Sequence, residues 1–193
     1  CRTMKRAAET IKQPVTKDEQ KEAEAEAKQG YMEGRYQDTI ARLKALLKKE
    51  PKNSEYWSQL GSAYAQINEL EYAIHAFKQA IKHNPRNIKA MYNLSVVYSE
   101  KGNEKAAMDI IKKAIKIDPK NPLLQASFAN VLIDQEKFDK AKVVYERIVS
   151  VKPDMEEAHY NLGIINYEQR NLAAAQKNYE DALSINPDDN EAK

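Results

Sequence analysis

Residues 57–85 read WSQLGSAYAQINELEYAIHAFKQAIKHNP, and this stretch decides the fold because the chain repeats its pattern every 34 residues. Leu60 aligns with Leu94, Phe128 and Leu162; Ala73 with Ala107, Ala141 and Ala175; Pro85 with Pro51, Pro119, Pro153 and Pro187. A fixed period of this size marks an array of small units rather than one closed core. Within a unit, apolar residues fall at positions 4, 7, 8 and 11, and again at 17, 20, 24, 27 and 28. The i, i+3, i+4, i+7 stripe predicts two amphipathic helices per unit. The break between them falls near position 15, where Gly34, Asn68 and Gly102 suit the left-handed conformation of a tight turn. Glu136 and Arg170 stand there in the last two units, so those turns are less firmly specified. Proline cannot continue the hydrogen-bond ladder and ends each second helix. Two residues later, Asn53, Asn87 and Asn121 are natural N-caps for the next helix.

Trp57, Gly61 and Tyr64 stand close together in sequence, a grouping that could serve chemistry or packing. The spacing favours packing: two aromatic knobs on one helix face, and a small residue where a neighbouring helix must come close. The pattern W-x-x-L-G-x-x-Y, then A-x-x-x-F, then P, resembles the tetratricopeptide repeat, with matches at Trp57, Leu60, Gly61, Tyr64, Ala73, Phe77, Ala80 and Pro85. The resemblance implies an all-α chain, a right-handed α-solenoid of helix-turn-helix units. Its repeats would occupy 20–53, 54–87, 88–121, 122–155 and 156–189, with a polar N-terminal tether at 1–19 and a stub at 190–193. The first repeat departs most, with Glu26, Gly30 and Thr39 where a Leu, an aromatic and an Ala are usual; the fifth has Asn166 at the aromatic position.

Composition agrees with a solvated helical array. Charged residues make up 31% of the chain, against about 25% in ordinary domains. The net charge of +2 hides a polarity along the chain. Residues 1–121 carry 23 Lys or Arg against 16 Asp or Glu, a net +7, and residues 122–193 carry 8 against 13, a net −5. The lysines are interleaved with glutamates and form no Arg-rich recognition helix, so no nucleic-acid partner is expected. No run of about 18 apolar residues is present to cross a membrane as a helix.

Catalytic and metal-binding constellations fail on spacing. His75, His83 and His159 have no second ligand at metal-binding distance in sequence, and the single cysteine offers none. No Gly-rich phosphate loop and no G-x-S-x-G occurs. The expectation is a non-enzymatic chain without metal, cofactor or small-molecule substrate. Asn93-Leu94-Ser95 has the form of a glycosylation sequon but falls inside a predicted helix, with Ser95 at a packing position.

In the family this chain resembles, the first helix of each repeat lines a concave groove through positions 2, 5, 9 and 12, and a protein or peptide partner binds there. Carried over residue by residue, the groove would include Lys28 and Tyr31 in the first repeat, Glu55, Ser58 and Ser62 in the second, and Lys89, Tyr92 and Val96 in the third. The fourth repeat would contribute Leu123, Ala126, Asn130 and Ile133, the fifth Glu157, Tyr160, Ile164 and Tyr167, with Glu24 and Ser99 added in the first and third. Exposed Tyr and Ile with a few hydrogen-bonding groups suit a protein surface, which points to the C-terminal part of the groove. The Lys and Asn set that clamps a terminal carboxylate in chaperone-binding members is incomplete in every register; from the first repeat it reads Glu24, Lys28, Gln59, Lys89 and Asn93.

The ends carry two further expectations. The chain's only cysteine is Cys1, which resembles the acylated residue of a mature bacterial lipoprotein, with Arg2, Lys5 and Arg6 beside it to meet anionic headgroups. That resemblance implies an interaction scaffold, lipid-anchored in a bacterial cell envelope and facing the periplasm from the outer membrane of a diderm cell. The alternative is a structural subunit or repeat region of a larger cytoplasmic complex. At the other end, the last helix would leave an apolar flank suited to self-association.

Overall fold

The computed structural model describes residues 17–186. Most of the 1–19 tether, and Pro187 with the 190–193 stub, lie outside the described residues. Ten α-helices follow one another: α1 (Lys17–Met32), α2 (Tyr36–Lys49), α3 (Ser54–Gln66), α4 (Leu70–His83), α5 (Ile88–Glu100), α6 (Glu104–Ile117), α7 (Pro122–Asp134), α8 (Phe138–Val151), α9 (Glu156–Glu168) and α10 (Leu172–Ile185). No strand occurs among the described residues. Helix α1 begins at Lys17, ahead of the boundary placed at residue 20.

The turn and cap signals act as physics requires. Gly34 and Gly102 have φ of 74° and 68°, and Asn68 has 59°. Glu136 and Arg170 take the same left-handed conformation, φ 55° and 61°, although their side chains disfavour it. Packing of the flanking helices therefore sets the turn, and the residue at its apex only raises or lowers the strain. The Asn53 side chain accepts from the amides of Glu55 and Tyr56, Asn87 from Ala90, and Asn121 from Leu123. Two caps escaped the sequence reading: Asn103 and Asn171, just after the turn apex, accept from Ala106 and Ala174. Every second helix stops two residues short of its proline.

Each helix packs on the next to make five hairpins, and each hairpin stacks on its neighbour. Ala73, Ala107 and Ala141 are fully buried where the two helices of a hairpin meet. At Gly61 an added Cβ would lie 2.7 Å from the Phe77 ring, so the glycine sets how closely α3 and α4 approach. The first repeat meets the same need differently. Buried Thr39 stands where Ala is usual, donates its hydroxyl to the Arg35 carbonyl at 3.0 Å, and packs on Gly30. In the fifth repeat Asn166 fills the aromatic position at 4% exposure by joining a polar chain. The Lys142 ammonium donates to its Oδ1 at 2.7 Å, and its amide donates to Asn178 Oδ1 at 2.8 Å. A buried amide is tolerated here because both its ends are satisfied.

Candidate functional site: the inner face of the stack

Helix α3 packs on α5 and α5 on α7, so the first helices of successive hairpins also touch one another directly. In a curved stack the layer with these closer contacts is the inner one. The outward positions of α2, α4, α6, α8 and α10 then form the convex side.

Towards the N-terminal end the inner face is hollowed. A cavity of about 620 Å³ is lined by Lys28 and Tyr31 from α1, Glu55, Gln59 and Ser62 from α3, and Lys89 and Asn93 from α5, with Ala27, Met32 and Thr39 completing its wall. A second hollow of about 180 Å³ shares Tyr31, Ser62 and Asn93 with it and continues past Gln66, Val96 and Glu100. The polar groups are partly ordered by one another. Asn93 donates to the Ser62 hydroxyl at 3.2 Å, Gln59 to the Glu55 carboxylate at 3.0 Å, and the Lys89 ammonium stands 3.9 Å from Glu55. Tyr31 is held edge-on against Tyr36, centroids 5.4 Å apart. With two lysines against one glutamate, the cavity favours a ligand rich in hydrogen-bond acceptors.

Of the groove residues expected from sequence, Lys28, Tyr31, Glu55, Ser62 and Lys89 line this cavity, and Val96, 36% exposed, lines its continuation. Three others serve the packing more than the groove. Tyr92 is half-buried against Met91, Ile111 and Leu124, and Ile133 packs into the core of the fourth and fifth hairpins. The carbonyl of Asn130 accepts from the fully buried Tyr145 hydroxyl, while its amide donates to Glu157 at 3.4 Å. Burial, and after it the Glu157 charge, pushes the Tyr145 pKa up, so this phenol stays a donor.

On α9, Tyr160 is half-buried, its ring tilted against Tyr179 at 5.8 Å; Ile164 is half-buried; Tyr167 is 50% exposed. Tyr167 belongs to a hollow at the C-terminal edge with Leu172, Tyr179 and Leu183. The aromatic stretch expected to dominate the groove is thus divided between core and edge.

Ser58 and Ala126, both at position 5, are buried instead of lining the groove. The Ser58 hydroxyl has 0% exposure and no hydrogen-bond partner. At position 5 the adjacent helix covers a short side chain entirely and half-buries the longer Tyr92 and Tyr160. Gln59 and Asn93, at position 6, line the cavity although they fall outside positions 2, 5, 9 and 12; the carboxylate-clamp register, which includes both, was the signal that pointed to them.

Among the described residues, no group of three His, Cys, Asp or Glu side chains could hold a metal ion. Among them too, no helix is long and apolar enough to cross a membrane. Ser95 of the Asn93 sequon is buried inside α5 with its hydroxyl 3.2 Å from that of Ser127, which closes that motif to modification in the folded chain.

Models of the tetratricopeptide repeat match residues 70–131 and, for a second model, 31–74 and 127–192. The second covers more than half of the chain, and the protein belongs to the tetratricopeptide repeat family. No curated protein matches it significantly. Among solved structures it is similar to MamA, from residue 41 to its end, of Desulfovibrio magneticus RS-1, at 16% identity and a TM-score of 0.77 over 92% of this chain and 99% of that one. It is similar to TTC0263, a tetratricopeptide protein of Thermus thermophilus, at 21% identity and TM-score 0.74 over 90% and 94%. It is also similar to YrrB, described as a tetratricopeptide protein with an unusual peptide-binding site, at 19% identity and TM-score 0.67 over 86% of each chain. At these identities the likeness shows the solenoid fold and nothing finer. The family and its fold are in general non-catalytic scaffolds for protein partners.

Proposed function

We propose that the protein is a non-enzymatic scaffold holding an extended protein segment on its inner face, seated in the cavity between α1, α3 and α5. The cavity of about 620 Å³, lined by Lys28, Lys89, Gln59 and Asn93 together with Tyr31, is the observation that carries this reading. An extended peptide offers backbone carbonyls and acidic side chains to these donors, and the Tyr31 ring gives an apolar contact. The seat therefore moves towards the N-terminal repeats from the aromatic stretch favoured by sequence alone. The test is selection of binders from a random peptide library on the full chain, followed by titration of a selected peptide. Tyr31→Ala and Lys89→Ala should each weaken it by at least about 1 to 2 kcal/mol with the helical fold retained, Lys89→Ala leaving melting unchanged and Tyr31→Ala lowering it through the lost packing on Tyr36. Equal affinity for parent and both variants overturns this seat.

For location, the reading we carry forward is a bacterial envelope membrane, with Cys1 as the lipid attachment point. Support comes from the chain's single cysteine and the Arg2, Lys5 and Arg6 beside it. Intact mass of the protein purified from native membranes should show an acylated Cys1, and an unmodified Cys1 removes the anchor.

A further inference from the structure

The outer helices of the first three hairpins carry a lattice of basic side chains without carboxylate partners among the described residues. Lys44, Lys78 and Lys112 stand at position 25 of the unit, Lys48, Lys82 and Lys116 at 29, and Lys52, Arg86 and Lys120 at 33. Spacing by four keeps the first two of each set on one face of α2, α4 and α6, with the third in the turn that follows. All nine are exposed, and among the described residues none lies within 4.0 Å of a carboxylate. Lys44 and Lys78 extend over the rings of Tyr64 and Tyr98, at 5.5 and 5.7 Å from the centroids.

The nearby carboxylates lie to the side. Asp38 and Glu71, in first turns, pair with Arg35 and Lys101, and Glu104 is also in a first turn. Glu50 and Asp118 accept from Asn53 and Asn121. Asp109 is the one carboxylate in the middle of these three helices.

The fold does not require lysine here. Its fourth and fifth repeats place Glu146, Ser150 and Asp154, then Glu180 and Ser184, at the same positions on the same kind of helix. Lys48, Lys82 and Lys116 stand in the last turns of α2, α4 and α6, where the helix dipole favours a cation, while lysines four residues apart repel one another; the serines at the same positions of repeats four and five show that neither effect demands lysine. We infer that this convex face of the first three repeats rests on an anionic phospholipid surface.

The chemistry of the face separates a lipid surface from its competitors. A protein partner is usually gripped by Trp, Tyr or Arg set in pockets; the side chains between the basic columns are Ala41, Ala45, His75, Gln79, Asp109 and Lys113, and a cavity of about 670 Å³ between α6, α7 and α8, with Lys112 on its rim, lies at the C-terminal border of the lattice. Nucleic-acid faces commonly add Arg forks or stacking aromatics; the one Arg of the lattice is Arg86, and of the nearby rings Tyr64 and Tyr98 lie under Lys44 and Lys78 while Tyr72 is stacked on Tyr64. Ammonium groups on flexible stems match a mobile, non-directional array of phosphate headgroups. The segment ahead of α1 adds the same sign at the same end of the chain, with Arg2, Lys5, Arg6 and Lys12 against Glu9.

The test uses the full chain carrying Cys1→Ser, so no acyl group contributes and the outcome is independent of the anchor proposed above. Co-sedimentation is measured with phosphatidylglycerol vesicles, with phosphatidylcholine vesicles and, in competition, with duplex DNA. The chain should bind the anionic vesicles, ignore the neutral ones and be released as salt rises. Lys48→Ser, Lys82→Ser and Lys116→Ser together copy what repeats four and five already carry, and should weaken binding by roughly tenfold or more. Removing the same charge off the lattice, through Lys140→Ser, Lys152→Ser and Lys177→Ser, should leave binding near the parent. Adding Glu146→Lys and Ser150→Lys to the first triple variant should recover it. The inference fails if the anionic vesicles are not bound at low salt, if both triple variants lose binding equally, or if DNA strips the chain from the vesicles at matched phosphate concentration.

Discussion

At Gly61 a methyl group has nowhere to go: a Cβ there would stand 2.7 Å from the Phe77 ring, and at Gly163 it would press closer still on Tyr179. Gly61→Ala and Gly163→Ala should each cost about 1 to 3 kcal/mol through overpacking, read as a fall in the urea midpoint. The turn apices give the opposite sign. Arg170 holds φ 61° at a cost that glycine avoids, so Arg170→Gly should raise stability by up to about 1 kcal/mol; a lower midpoint in that variant would mean that contacts of the side chain outweigh the strain. The role of Gly61 was legible because a period of 34 residues places a small residue opposite a bulky one in every copy. The fate of Ser58 was not, because the rule that position 5 faces the groove says nothing about side-chain length. Asn130 shows the same limit: the phenol that consumes its carbonyl comes from Tyr145, 15 residues away on the next helix.

Helix α3 shows what holds one element against its neighbours at the N-terminal end. Tyr56, at its start, donates to the Glu24 carboxylate on α1 and accepts from Gln20 at 3.0 Å, while Gln20 also reaches Glu50 at the end of α2. Burial first, then the hydrogen bond to Glu24, pushes the Tyr56 phenol up to about 12. The sign follows from linkage. With the folded pKa above the unfolded value of about 10, the stability Tyr56 contributes is fully present below pH about 10 and is lost as pH rises through about 12. Buried Tyr145 shifts in the same direction. Stability measured by urea unfolding should therefore fall steadily above pH about 10, and the fall should be shallower in Tyr56→Phe. A curve of unchanged slope in that variant would locate the alkaline loss elsewhere. Caps act at the same scale. The Asn121 side chain accepts from the Leu123 amide at the start of α7, so Asn121→Ala should cost about 1 kcal/mol. Asn103 and Asn171 were not legible as caps, because a loop of two or three residues leaves the first capped position open to a shift of one, and only the hydrogen bonds to Ala106 and Ala174 fix it.

Across the whole molecule the apolar core is not uniform. One cluster runs through the first three hairpins, from Ala27 to Val97, and another through the fourth and fifth, from Ala126 to Ile165. Between them lies a small cluster of four buried residues, Met91, Ile111, Ala114 and Leu124, with Met108 and Phe128 also touching the second body and Ile81 and Ile110 the first. In a stack where each unit touches only its neighbours, cooperativity passes through every junction, and the thinnest one limits it. Ile111 is fully buried at that junction. Ile111→Ala should cost about 2 to 5 kcal/mol and should also uncouple the two halves. The chain's one tryptophan, Trp57, lies in the N-terminal body and donates its indole N–H to the Pro51 carbonyl at 2.8 Å, so its fluorescence follows that half alone. In the parent, fluorescence and far-UV circular dichroism should melt together. In Ile111→Ala the dichroism should begin to fall first, as the C-terminal hairpins, with Tyr167 and Leu172 exposed, open, while Trp57 keeps its native signal to higher temperature. Coincident transitions in the variant would show that the junction is not the weak link and that the array unfolds as one body.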